Sequence, residues 1–145
     1  MILRGLSAIA LLLPALAVAA EDGPRLFERH CAACHQADAS GTVGLAPPLK
    51  GEHWLKLGAD RSYLPTVLVH GLSGPIQAGS VRFVGSMPAF GSQLHDDELV
   101  LIANHLRGLQ GAAAAEPLTA ADFAAARAAG GSPPATRTKR QALLP

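Results

Sequence analysis

The sequence predicts a small all-α domain. Leu99, Ile102, Leu106 and Leu109 recur at helical spacing and mark one buried face. Pro24 follows the acidic Glu21 and Asp22, an order that suits the first turn of a helix and its positive end. No strand pattern stands out anywhere along the chain.

Residues 1–20 carry one early cation, Arg4, then an apolar run from Leu6 to Ala20 that closes on Ala17-Val18-Ala19. That small-x-small ending predicts a cleaved export signal, with cleavage after Ala19 or Ala20. The run is shorter than the ~20 residues of a membrane-spanning helix, so a retained anchor is the weaker reading. Residues 21–30 form the first helix, with Leu26 and Phe27 on one side. Gly41, Gly44, Pro47, Pro48 and Gly51 make a loop from Ser40 to Lys50. Tyr63 to His70 reads as a short helix, with Ser62 as N-cap, Pro65 in its first turn and Gly71 as its stop.

Leu72 to Phe90, with Gly74-Pro75 and Met87-Pro88, reads as a second Gly/Pro loop. The strongest helix starts at His95 or Asp96, holds Asp97 and Glu98 in its first turn, and stops at Gly111. Beyond it the chain is Ala-rich, and Thr119 caps an expected helix from Ala120 to Ala129, closed by Gly130-Gly131. Ser132 to Pro145 holds Arg137, Lys139 and Arg140 without an acid, and is expected to be a mobile basic tail. On that reading, truncation after Gly111 leaves a free carrier almost unaffected.

Composition narrows the function. Without Arg4, the 12 Lys and Arg become 11, matching the 11 Asp and Glu, so the exported chain is formally neutral. Nucleic-acid binding needs a basic stripe, and none is present. Aromatic residues are few: Phe27, Trp54, Tyr63, Phe83, Phe90 and Phe123. A chain of about 125 residues so poor in bulky side chains has a thin core of its own. A large buried cofactor would complete it.

The cysteines say which. Two cysteines in an exported protein usually form a disulfide. Here they lie in Cys31-Ala32-Ala33-Cys34-His35, and C-x-x-C-H reads as a c-type haem attachment site. The spacing sets the thiols about one helical turn apart, matching the vinyl groups of a porphyrin, and puts an imidazole beneath the iron. A thioredoxin-like dithiol would sit near a βαβ pattern, which is missing. A zinc site would need four ligands, and no second cysteine pair exists.

Met87 is the one thioether left once Met1 departs with the signal. It stands in Gly85-Ser86-Met87-Pro88-Ala89-Phe90, where Pro88 stiffens the backbone, and is the candidate sixth iron ligand. The plainer alternative makes it a loop anchor packed on the core. The competing imidazoles are His30, His53, His70, His95 and His105. His30 directly precedes the motif and cannot swing to the opposite face. His95 reads as a solvated cap, His53 and His70 as surface residues or neighbours of the haem edge, and His105 as a core or haem-packing residue.

With these residues in place, Gly23 to Gly111 resembles a class I cytochrome c. Gly23 and Phe27 match the small and aromatic positions where the family's first helix crosses its last. Gly44-Leu45-Ala46-Pro47-Pro48-Leu49 resembles the loop whose proline carbonyl accepts the proximal imidazole N–H. The resemblance gives that role to Pro47 and packs Leu49 on the haem. Met87-Pro88 with Asp97-Glu98-Leu99 resembles the distal loop and the start of the last helix. His105 departs from the pattern, standing where the family usually has an aromatic residue. The implied organisation is a signal peptide over 1–20, a cytochrome c domain over 21–111, and an Ala-rich short helix with a basic tail over 112–145.

The resemblance implies a periplasmic one-electron carrier with one covalent haem c held by Cys31 and Cys34, and with His35 and Met87 as iron ligands. It is not an enzyme in itself. Its expected partners are a periplasmic dehydrogenase, an oxidase or another cytochrome, meeting an apolar rim of Ala46, Pro47, Ala89 and Phe90. Two other readings stand beside it. The chain would be a fixed cytochrome subunit of a periplasmic dehydrogenase or respiratory complex, a role that Gly71-Leu72-Ser73-Gly74-Pro75-Ile76 faintly resembles. Alternatively it would be a haem sensor or peroxidase-like enzyme in which Met87 gives way to a small ligand.

Overall fold

A computed structural model describes residues 22–112 and 115–144. The expected signal peptide over 1–20 lies outside the described residues.

Helix α1 (Gly23–His30) is capped by Asp22, whose carboxylate accepts the Arg25 N–H at 3.0 Å. Cys31 ends it and opens the single turn α2 (Ala32–His35). The loop that follows leads to α3 (Glu52–Leu57), a short helix with no clear sequence signal, which buries Trp54 and Leu57. Helix α4 (Tyr63–His70) has the expected bounds. The Asp60 carboxylate, rather than the Ser62 side chain, organises its start by accepting the Ser62 N–H at 2.8 Å and hydroxyl at 2.6 Å. Most of α4 is buried, because α5 (Asp96–Leu109), α6 (Ala120–Ala129) and α7 (Pro133–Leu143) all pack on it.

The crossing of α1 and α5 is close. A Cβ at Gly23 would lie 2.5 Å from the Leu101 carbonyl oxygen and 2.9 Å from the His105 Cβ. Only a residue without a side chain allows that approach. His105 meets Phe27 edge-on, with centroids 5.4 Å apart, so the imidazole serves as the flat ring of this crossing.

Two expectations are corrected. The Gly/Pro loop of residues 72–90 is largely an antiparallel hairpin of β1 (Leu72–Ala78) and β2 (Val81–Met87). Gly79, at φ 59°, supplies the left-handed first position of its two-residue turn. The register pairs Leu72 with Met87, Gly74 with Gly85 and Ile76 with Phe83. Alternate positions on each strand therefore share one face. Glycines and Pro75 dilute strand propensity, and that hid the alternation. Mostly helical, the fold thus includes one small sheet among the described residues.

The basic tail is likewise ordered. Ser132 caps α7, Pro133 and Pro134 fill its first turn, and Thr136 and Arg140 are buried against β1 and α4. Between them, α6 forms as expected, with Asp122 accepting the Thr119 N–H at 2.7 Å. Arg61 clamps Asp122 through two bonds of 2.7 and 2.8 Å. Arg127 reaches back to Asp96 at 2.7 Å and to the carbonyls of Gly91 and Leu94.

The extension is therefore part of the core. Phe123 on α6 is fully buried, so Phe123→Ala is expected to cost about 3–5 kcal/mol in denaturant unfolding. Truncation after Gly111 is expected to destabilise the domain outright, contrary to the mobile-tail reading. The Arg61 guanidinium pulls the Asp122 carboxyl down from 3.8 to about 2. A depressed carboxyl stabilises the fold above its unfolded value, and the contribution disappears as pH falls through its folded value. Arg61 is 39% exposed, so the effect is discounted to about 1 kcal/mol. The stability gap between wild type and Asp122→Asn should be open at about pH 7 and close on titration from about pH 4 to about pH 2.

Candidate functional site

The helices and the hairpin enclose an apolar cleft of about 1150 Å³, including its open mouth. Cys31 and Cys34 stand on its border at either end of the α2 turn, both as free thiols, the first buried and the second exposed. Burial, and then the neighbouring Cys34, push the Cys31 thiol up to about 11. His35 comes next on the same turn, held by its N–H to the Cys31 carbonyl at 2.9 Å. The residue is 7% exposed, and its Nδ1 donates to the Pro47 carbonyl at 2.9 Å. That bond selects the tautomer in which Nε2 keeps its lone pair. Burial lowers the His35 pKa and the Pro47 carbonyl partly opposes it, which favours the neutral imidazole a metal requires.

Met87, half-buried at the end of β2, lines the same cleft. It is brought there by the hairpin register, on the face it shares with Leu72, Ile76 and Phe83. Leu49 is partly buried against the core and also lines the cleft.

Of the other histidines, His30 alone borders the cleft, on the segment that carries Cys31, its ring 6.3 Å from that of Phe90. His53 donates to the Pro48 carbonyl at 3.2 Å and His70 to the Ala126 carbonyl at 2.9 Å. Both are half-buried packing residues rather than surface ones. His95 is exposed at the start of α5, where its N–H donates to Glu98 at 2.8 Å. No cluster of three or more His, Cys, Asp or Glu side chains suited to a metal ion occurs among the described residues.

The expected apolar rim needs correction. Ala46 and Phe90 are buried, Pro47 and Ala89 are half-buried, and the exposed apolar side chains of the loop that holds Pro47 are Leu45 and Val43. Sequence reasoning also missed Trp54, Tyr63 and Arg140 as cleft residues. Trp54 and Tyr63 carry no local signal of it. Arg140 arrives only through the packing of α7.

A haem fits this cradle on its donor chemistry: paired free thiols, an oriented neutral imidazole, a thioether and apolar walls. The molecule is thus, by fold and site, a small helical protein built around a covalently attached haem. Residues 20–110 match the family model for cytochrome c, and the chain belongs to the cytochrome c family. Its cofactor is a covalently bound haem c.

Among curated relatives, cytochrome c-552 of Thermus thermophilus is 39% identical over 98 residues, covering 66% of this chain and 65% of its own. The gluconate 2-dehydrogenase cytochrome c subunit of Pantoea cypripedii is 34% identical over 111 residues, 74% of this chain and 24% of the relative. The cbb3-type cytochrome c oxidase subunit FixP of Bradyrhizobium diazoefficiens is 34% identical over 98 residues, 66% of this chain and 32% of the relative. The chain thus spans just under two thirds of the length of the cytochrome c-552 relative.

Proposed function

We propose that the chain is a periplasmic one-electron carrier, with thioether links at Cys31 and Cys34 and iron ligation by His35 and Met87. The observation that carries this reading is that a short helical turn and a separate hairpin bring the buried imidazole and the thioether to one apolar cleft. Haem c, when bound, supplies the one-electron couple. Pro47 keeps the His35 ring at a set angle and raises its basicity. Met87 offers a soft donor, which favours the reduced state over what a harder ligand would give. The apolar walls exclude water, so little solvent rearranges on electron transfer.

A redox partner would meet the cleft at its exposed apolar residue Leu45, through the small, weak contact usual for such encounters. Among the described residues no helix is long and apolar enough to cross a membrane. Partners in this reading are a periplasmic dehydrogenase, an oxidase or another cytochrome, and the export signal over 1–20 takes the chain to them.

A second reading, a fixed subunit of a periplasmic dehydrogenase or respiratory complex, is favoured by the likeness to the gluconate 2-dehydrogenase subunit, which extends over 74% of the chain. Size on gel filtration of material drawn from its native periplasm separates the two.

Ligation is tested by a reduced-minus-oxidised spectrum of protein matured in an export-competent host. The carrier reading expects a low-spin c-type spectrum and, in the oxidised protein, the weak red band of iron–methionine coordination. A native haem that binds carbon monoxide rapidly, without that band, overturns it.

A further inference from the structure

Arg140 is the least expected residue in the cleft. The residue is 5% exposed, it lines the cavity, and it comes from α7, outside the residues 20–110 that match the family. Nη1 donates to the Tyr63 hydroxyl at 3.2 Å and Nη2 to the Gln77 carbonyl at 2.9 Å, both neutral acceptors. No carboxylate among the described residues pairs with it, whereas Arg61, Arg127, Lys50 and Lys139 each have an Asp partner. A guanidinium is always charged and has more N–H donors than those two bonds use. Burying such a charge without an anion is strongly unfavourable. Something anionic therefore belongs beside it.

We propose that Arg140 is the cationic partner of the haem's propionate carboxylates, so that the C-terminal helix α7 completes the cofactor site. The proposal rests on the haem reading above. A carboxylate is the group that a planar guanidinium fork binds best, and the propionates are the anionic groups of haem c. Tyr63, having accepted from Arg140, still has its own hydroxyl hydrogen to donate to the same carboxylate.

Other ionisable groups surround this end of the cleft. His53 comes from α3 and feels Arg140. Asp60 precedes α4 and is paired with Lys139 of α7 at 3.4 Å. Arg82 lies across the hairpin from Gln77. Arg137, one turn before Arg140, has a buried Nε without a hydrogen-bond partner and packs against Gly74. Apart from Asp60, which Lys139 already neutralises, this surrounding is neutral or cationic.

The electrostatic consequence is a sign. A fixed positive charge near the ring disfavours the ferric state, and it keeps the carboxylate ionised by direct pairing. Arg140→Gln should therefore lower the midpoint potential. It should also leave a desolvated carboxylate that takes up a proton near neutrality, so that the potential falls as pH rises through that titration. Arg140→Lys keeps the charge and should keep a flat profile.

The experiment uses the full haem-loaded chain, with acid–acetone retention and the red band first confirmed in each variant. Failure of those checks in wild type counts against the haem reading, not this one. Midpoint potentials are then measured from about pH 5 to about pH 9. A lower, pH-dependent potential in Arg140→Gln and a flat one in Arg140→Lys supports the proposal. A wild-type potential and profile in Arg140→Gln overturns it. So does a pH step that vanishes when His53→Asn is added, since that assigns the proton to His53.

Should Arg140→Gln fail to mature, wild type alone decides. With haem labelled with 13C at its propionate carboxyls, infrared titration is expected to show a labelled carboxylate still ionised below about pH 4, the ordinary range for such groups. Titration of every labelled carboxyl at its ordinary value overturns the proposal.

Discussion

Replacing both Cys31 and Cys34 by serine should yield a chain from which acid–acetone removes all haem and which no longer unfolds cooperatively. Both effects are expected to be large, for separate reasons. The first is chemical: thioether links survive extraction and axial ligation does not, so retention of colour reports the two sulfurs alone. The second is energetic. The cleft is walled by buried side chains such as Phe27, Leu68 and Leu106, which need a large apolar partner between them. Without it they face water or collapse, and losing the burial of even three such side chains, at about 1.5–3 kcal/mol each, rivals the roughly 5–15 kcal/mol of a whole domain. Far-ultraviolet circular dichroism against temperature gives the check. A sharp transition at the wild-type midpoint in the double variant would show that the helices stand without the covalent haem.

Met87→Ala should retain the covalent haem, abolish the weak red band and lower the midpoint potential. The sulfur binds ferrous iron better than ferric iron relative to the harder donors, water or imidazole, that would replace it. If that preference spans about two decades, the potential falls by about 120 mV, at about 59 mV per decade for one electron. Stability should suffer less than in the cysteine variants, because Met87 is only half-buried at the end of β2. His30 borders the same cleft but sits on the segment that carries Cys31 and the proximal ligand. It should not rescue the sulfur signal. Redox titration of Met87→Ala and Met87→His would read the effect directly. An unchanged red band and potential in Met87→Ala would remove this residue from the iron.

What the sequence made legible was the chemistry that depends on neighbours along the chain. C-x-x-C-H placed two thiols and an imidazole within one turn, and the turn is there. Thr119 and Gly130 bracketed α6, and Gly71 stopped α4, because caps and stops act within a few residues. The start of α4, by contrast, is organised by Asp60 rather than by the Ser62 side chain. The Pro47 carbonyl as partner of His35 was expected from the family resemblance rather than from any local pattern, and the 2.9 Å bond agrees with it.

The hairpin escaped because its cleft-facing positions include Gly74 and Gly85, which erase the alternation a strand needs in order to be seen. Helix α7 escaped because Thr136 and Arg140, its buried residues, are polar, so no apolar stripe announced it.

The sequence by itself determined that this chain carries a covalent haem on a helical frame, because attachment chemistry and helix capping are local. Only the tertiary structure decided that residues 72–87 pair as strands and present Met87 to the cleft, and that the last helix belongs to the core. It alone brought Arg140 into the haem cleft. Register, burial of polar residues and the charge inside a cavity depend on segments distant in sequence. Here Arg140 on α7, Tyr63 on α4 and Gln77 on β1 meet only once the chain has folded.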